Sequence, residues 1–591
     1  MKTIQAEQWG IRPDTGEDCT AAFARLLGEN PRATEFVLAP GRYDFDAAHA
    51  ARRDYALSNS DIVSPRHLSL QLCGMEDVVF NGNGAQLVFH GQTMPFTVDQ
   101  SQGVTIKNLT IDWAVPLTAE GEIIAAAPDF IDVAIDPALF PHEVADDTLY
   151  FTGEGWREPV WPWGNTEFDA RTGKVAFGRG DTFPKTTQAL LPSGAVRFYG
   201  NFTGAQPQPG NVLVLRHGQR VHAGIFMQNS AQLAVEDVTL HATRGLGILA
   251  QFCEDLHFCR VSLLPNRAKG RRFASGHDDG IHLSANSGTV TVDQCSFLGL
   301  MDAPLNLHGI AAKIEAVEGG RTLQGRFMHS QSNNFDQWAL PGQTVAFLDG
   351  QDMHQLAQGN VKRFVLCTPE TFCLEFEDDL PADVQAGASL ENLSRTAALI
   401  CRNNWFGSCR ARSLLVCTPQ PVLIENNLFE SAGAAILIAG DASTWYESGR
   451  CQKVTIRGNH FADCCLTSHY LGGEAIISIH PELPHPRAEH PCHRNITIEN
   501  NLFETSHARL LYALCTAGLR FCRNRVFRSY TYPPRCQEQQ RVTLELCTDA
   551  AVGDNLLVGR VVGQGDITRP EPSAKTTGCA KAALFKKEET L

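Results

Sequence analysis

The chain has 591 residues and a formal charge of −15, from 50 Lys and Arg against 65 Asp and Glu. That acidic balance disfavours nucleic acid or an anionic membrane surface as main partner, since both repel it. No apolar run is long enough to span a membrane as a helix, and the length allows a large core with one or two appended domains.

The first predicted element is an amphipathic helix over residues 17–29, EDCTAAFARLLGE. Ala22, Phe23, Leu26 and Leu27 share one helical face, after a Thr placed to cap. Such a helix suits the open first rung of a solenoid, where a bare sheet edge invites aggregation. The opening MKTIQAEQWG lacks the apolar core of a signal peptide. The nineteen Cys include no CxxC pair, and Cys259, Cys295, Cys417 and Cys522 fall inside strand phrases as small apolar residues. Reduced thiols, a cytoplasmic location and no structural metal are the expectation.

One short phrase then recurs seven times: VTIKNLTIDW from Val104, LAVEDVTL from Leu233, LHFCRVSL from Leu256, VTVDQCSFLG from Val290, VLIENNLFES from Val422, VTIRGNHFAD from Val454 and ITIENNLFET from Ile496. Each alternates apolar and polar residues, takes a polar step, and resumes at Phe, Leu or Ile. Strands this short cannot bury a face alone, but stacked rungs can. The fold class read from this is all-β: a right-handed parallel β-helix with inserted β-rich or β-barrel subdomains. A β-sandwich of many short strands is the alternative, and it rarely repeats a shared phrase. Asn426, Asn427, Asn459, Asn500 and Asn501 recur at the corner and suggest an Asn ladder.

The rhythm sets the expected divisions. Residues 1–112 hold the first rungs and the cap. Residues 113–219 break the pattern with GEGWREPVWPWGN and read as an inserted β-rich subdomain. Residues 220–310 return to rungs, 311–395 read as a small inserted β-barrel, 396–565 as the last rungs and 566–591 as a tail. The basic run RAKGRR at Arg267–Arg272 reads as a solvated loop.

Insertions wall off a groove, so the rungs beside them are the candidate site. There GHDDGIHLS (276–284) is followed by LMDAPLNLHG (300–309). Asp279 and Asp302 stand about one rung apart, and each is followed by a His, His282 and His308. Two carboxylates flanking a cleft are what glycoside hydrolysis needs, and crowding raises the pKa of one of them. Taken singly, each Asp also reads as a turn former. A second constellation offers Arg410 and Arg412, then Asp441 and Glu447 around Trp445 and Tyr446. Arg forks bind hydroxyls and carboxylates, and an aromatic face suits a sugar ring. Trp445 reads equally as a packed loop residue, and Trp113, Trp156, Trp161 and Trp163 are further candidate platforms.

These residues also carry a resemblance. YALSNSD (55–61), VTIKNLTIDW, DGIHLS, MDAPLNLHG, NNWFGSCRARSLLVCTP and AAILIAGDASTWYESG resemble the α-1,3-galactosidases of glycoside hydrolase family 110, a bacterial group. The resemblance implies a β-helix with barrel modules. It implies metal-independent, inverting, exo-acting removal of terminal α-1,3-linked galactose from blood group B-like or linear glycans. No cofactor is expected, the partner is a galactose-terminated glycan, and a homodimer is open. The catalytic candidates are Asp302, Asp279 and the Ala303 position. The substrate-binding candidates are His282, Asn306, His308, Arg410, Arg412, Asp441, Trp445 and Glu447.

One departure matters. The family pattern has paired aspartates, M-D-D, where this chain reads Met301-Asp302-Ala303. Three explanations stand: an enzyme working with Asp279 and Asp302, a relative with altered or lost activity, or an engineered Asp→Ala change. The intact surroundings favour the last. Two other functions compete. A polygalacturonase-like endo-hydrolase is suggested by Asp278-Asp279 and His308-Gly309, although uronate polymers call for a basic open groove and no Arg-Ile-Lys-type element follows the His-Gly. A non-catalytic glycan-binding solenoid is suggested by Ala303.

Overall fold

A computed structural model of the chain describes residues 1–591 except 163, 180–185, 205, 468–474, 507–508, 535–540, 558–559, 563–566 and 569–591. Trp163 and all of the expected tail but Ile567 and Thr568 lie outside the described residues.

Each of the seven phrases forms a rung. Ile106, Val235, Phe258, Val292, Cys401, Ile424, Ile456, Ile498, Phe521 and Val552 pair in parallel, one above the next. A second column runs through Leu70, Phe96, Ile225, Ile248, Ile281, Leu305, Leu414, Ile436, Ile477, Leu511 and Val542. Both columns point into one shared apolar core. The alternation of the phrases drives this, because every second side chain of a strand faces inward. Parallel stacking of such rungs makes a parallel β-helix and excludes the antiparallel sandwich.

The corner of the later rungs is built from amides. Asn404, Asn427, Asn459, Asn501, Asn524 and Asn555 form a continuous ladder, each donating both backbone N–H and side-chain amide to the next Oδ1 at 2.9–3.0 Å. Asn426 and Asn500 are not in it. They hold the left-handed backbone, with φ of 56° and 55°, that turns the corner. In each Asn-Asn pair the first residue bends the chain and the second binds the neighbouring rungs. Just inside, Phe297, Phe406, Phe429, Phe461 and Phe503 stack at centroid distances of 4.7–5.2 Å.

The first end is plugged by a helix, Thr20–Glu29, whose Phe23 packs against Tyr43, Phe45 and Phe80. The Thr is the first helical residue and not the cap. Asp18 Oδ1 accepts both its N–H and its hydroxyl.

Two insertions interrupt the stack. The first holds a six-stranded antiparallel sheet and a three-stranded one between Ala119 and Leu215. The second is a closed six-stranded barrel of Leu305–Glu318, Thr322–Arg326, Thr371–Phe376, Gln355–Leu366, Thr344–Leu348 and Ser389–Asn392 in order around the ring. Its first strand begins as a rung and runs on without a break into the barrel, so His308 and Gly309 sit at the joint. The RAKGRR run is not a free basic patch. Arg271 is buried against Asp112, and Lys269 reaches the same carboxylate at 3.2 Å.

Candidate active site

The site begins with a glycine column. Gly224, Gly247 and Gly280 stack where rungs approach most closely, and a Cβ on Gly280 would lie 2.5 Å from the carbonyl oxygen of Pro304. The Asp-Gly of DGIHLS is therefore a packing demand, and it brings Asp279 against the next rung. There the N–H of Ala303 donates to Asp279 Oδ1 and to Asp302 Oδ1, each at 3.0 Å. The two Oδ1 atoms are thus at most about 6 Å apart, whereas the carboxyl groups of an inverting pair are usually about 6.5–9.5 Å apart.

Cations ring Asp302: Arg220, Arg410 and Arg412 lie 3.6, 3.6 and 3.5 Å from its oxygens. Burial nevertheless raises its pKa from the ordinary carboxylate value, and the charge of Asp279 adds to the effect against Arg412 and Arg220. Asp278 behaves oppositely. It is fully enclosed, contacts Arg216, and lies 2.8 Å from Arg220 and 2.7 Å from His277. Burial alone would raise it, but Arg220, His277 and Arg216 hold it far below the carboxylate range. Asp278 and Asp279 therefore do not face one cleft as a pair.

Behind Asp279 lie the two histidines. His282 Nδ1 meets Asp279 Oδ2 at 2.6 Å, and its Nε2 meets His308 Nε2 at 2.8 Å. Glu447 lies beside the join of the two rings, with Oε1 3.8 Å from His308 Nε2. It is fixed by the antiparallel pairing of Glu447-Ser448 with Gly309-Ile310 and by the amide of Asn59 at 2.6 Å. Burial pushes Glu447 up, but His308, His282 and Asn59 outweigh it and hold its pKa down to about 2.

The two inserted modules match the family models GLAA-B beta-barrel domain I, over residues 119–213, and GLAA-B beta-barrel domain II, over residues 322–390. The chain is 38% identical to alpha-1,3-galactosidase B of Bacteroides thetaiotaomicron, over 95% of this chain and 92% of the relative. It is 32% identical to alpha-1,3-galactosidase B of Akkermansia muciniphila, over 92% of this chain and 68% of the relative. It is also 32% identical to alpha-1,3-galactosidase A of Bacteroides fragilis, over 95% and 93%. The chain belongs to the α-1,3-galactosidase family.

In this galactosidase-family chain the expected site residues divide into a front and a back. Asp302 and Arg412 keep partial side-chain exposure, at 14% and 23%, and Arg410 and Glu447 are buried next to them. His282, His308 and Asn306 are buried behind them, and the Asn306 amide donates to Glu447 at 3.4 Å. Asp441 is not placed to bind a sugar. Its carboxylate accepts the backbone N–H groups of Ser443, Thr444, Trp445 and Tyr446 and so shapes the loop that presents Glu447. Burial and neighbouring Glu482 push its pKa up to about 6.

The aromatic candidates divide too. Trp445 is half-buried, with its ring 4.6 Å from that of His329 in the second insertion. Tyr446 is buried in an apolar cluster of the barrel. Trp113 is sealed in the core under Phe89 and is no platform. Trp161 lies over Arg216, and Trp156 is stacked on His217.

Arg220 and Asn59 escaped the sequence reading. Asn59 lies within YALSNSD, a segment with no periodic signal, which lies over the rungs: Ser58 meets Ser284 at 2.9 Å. Arg220 lies where the first insertion rejoins the stack, and Asp61 Oδ2 accepts its N–H.

Away from this site, the side chains of Asp352, His354 and His490 cluster and are spent internally. Both imidazoles and Arg487 converge on the one carboxylate, which ties the barrel to a late-rung loop. No helix among the described residues is long and apolar enough to cross a membrane.

Proposed function

We propose that this chain is an exo-acting glycoside hydrolase that removes terminal α-1,3-linked galactose from glycans. Asp302 is the general acid. Its carboxyl is largely buried, which raises its pKa from the ordinary carboxylate value, and it is held among three arginines that orient it. The proton passes from Asp302 to the glycosidic oxygen as the bond to the anomeric carbon breaks. Arg412, Arg410 and Glu447 supply hydrogen bonds to galactose hydroxyls, and Trp445 lines the approach.

The observation that carries the reading is the sharing of one N–H by Asp279 and Asp302. It supports an acid–carboxylate pair on adjacent rungs. It also leaves little room for a water between them, so a base at position 303, where this chain has Ala, is the missing member of an inverting set. On this reading the chain binds terminal galactose and cleaves it slowly, with Asp279 standing in as base. The short separation favours a second reading, in which Asp279 attacks the anomeric carbon and configuration is retained. Proton NMR of the galactose first released from an α-1,3-galactobiose separates the two: β-galactose for inversion, α-galactose for retention. Release of no galactose by a chain that binds it would favour a glycan-binding solenoid.

A further inference from the structure

Asp279, His282 and His308 form one hydrogen-bonded row that ends on a backbone carbonyl. Its three contacts are Asp279 Oδ2 to His282 Nδ1 at 2.6 Å, His282 Nε2 to His308 Nε2 at 2.8 Å, and His308 Nδ1 to the Gly309 oxygen at 2.7 Å. Each contact at such a distance contains one hydrogen. The Gly309 carbonyl only accepts, so His308 Nδ1 carries a hydrogen, and a neutral imidazole has just one. An ionised Asp279 likewise takes the single hydrogen of a neutral His282. Two bare nitrogens would then face each other at 2.8 Å, with both imidazoles shut away from solvent. Shifting hydrogens along the row does not help. Three contacts need three hydrogens, and a carboxylate with two neutral imidazoles brings two.

We infer that the row holds one extra proton, so that His282 and His308 form a buried imidazolium–imidazole pair that positions Asp279 as an anion. The surroundings suit a single positive charge. Asp279 faces the pair from its own loop at His282 Nδ1, and Glu447, on the strand beside Ile310, approaches His308 Nε2, where the two rings meet. Asn306 on the same rung as His308 and Asn59 from the 55–61 segment both donate to Glu447. On the preceding rung Leu249 pairs with His282. Arg412 lies beyond, among the groups that act on Glu447 and Asp302. Burial pushes the His308 pKa down, against the charge of Glu447, and the charge of His282 adds to the lowering; a second positive charge 2.8 Å from the first is opposed by that repulsion. The cationic His282 is therefore a positioning residue. It donates to Asp279 on one side and to His308 on the other, and deprotonation breaks one of those bonds.

The test labels the histidine rings of the whole chain with nitrogen-15 and reads their protonation by NMR against pH, with His282→Gln and His308→Gln to assign signals. At neutral pH His282 is expected to carry hydrogen on both nitrogens and His308 on Nδ1 alone. In His308→Gln the side-chain amide donates to His282 Nε2, so His282 becomes neutral and the chain binds about one proton fewer. All-neutral rings in the wild-type chain at neutral pH would overturn the inference. The kinetic arm, which rests on the hydrolase reading, follows an activated aryl α-galactoside. The alkaline limb of kcat/KM should move by about one pH unit or more in His308→Gln. An unmoved limb beside a lost imidazolium signal would overturn the positioning role. A chain that neither binds nor cleaves galactosides defeats the hydrolase reading alone and leaves the NMR result standing.

Discussion

Restoring a carboxylate at position 303 is the sharpest perturbation the site allows. Ala303 is fully buried, belongs to none of the apolar clusters, and its N–H is the hinge between Asp279 and Asp302. A carboxylate there joins two others, with Arg220, Arg410 and Arg412 close enough to balance part of the charge. The added negative charge pushes Asp302 further toward its protonated form, the form an acid catalyst needs. A positioned general base contributes about 10²–10⁴ in rate, or about 3–5 kcal/mol of barrier. Ala303→Asp should therefore raise kcat on α-1,3-galactobiose by about that factor with KM nearly unchanged, since the gain falls on the transition state. Initial rates across a substrate range separate the two constants, and a thermal melt checks that the extra buried charge has not unfolded the chain. Unchanged kcat in a folded variant that still binds galactose would refute both the base assignment and the idea that Ala303 is an inactivating replacement.

Other outcomes follow from the same geometry. Asp302→Asn should lower kcat by about 10³-fold while galactose still binds, measured by calorimetry beside the rates. Because the native state holds the Asp302 proton more tightly than the unfolded chain does, its stability should fall as pH rises from the ordinary carboxylate range through the native pKa; urea midpoints along a pH series should show this slope, and Asp302→Asn should lose it. Asn427→Ala strands the amide and N–H of Asn404 and the carbonyl of Cys401, and should cost about 2–4 kcal/mol in denaturant unfolding. Gly280→Ala forces Pro304 and its rung away from Asp279, so activity should drop together with the melting temperature, unlike the pure rate loss of Asp302→Asn.

Much of the scaffold was legible because a solenoid repeats its physics. The alternation in LAVEDVTL and ITIENNLFET is the inward-outward pattern of a rung, and all seven phrases stack in register. The division of labour within each Asn-Asn pair was not legible, because both residues tolerate a corner and only the neighbouring rung shows which amide points along the axis. The 23-residue spacing placed Asp279 and Asp302 on adjacent rungs since one turn has about that length there. Asp441 misled because a carboxylate next to aromatics looks like a sugar site, whereas here it gathers four backbone N–H groups. Arg220 and Asn59 were invisible for a different reason. They reach Asp302 and Glu447 from segments outside the repeat, and no periodicity records where a loop lands.

The amide ladder starts only after the second insertion. At the same corner the earlier rungs carry Leu109, Val238, Val261 and Cys295, and the hydrogen-bonded column takes over at Asn404. Past that point every layer offers an identical acceptor below and an identical donor above. A duplicated layer would find matching contacts on both sides, so the distal half can lengthen or shorten by copying. The layers around 276–308 are each unlike their neighbours and have no such freedom.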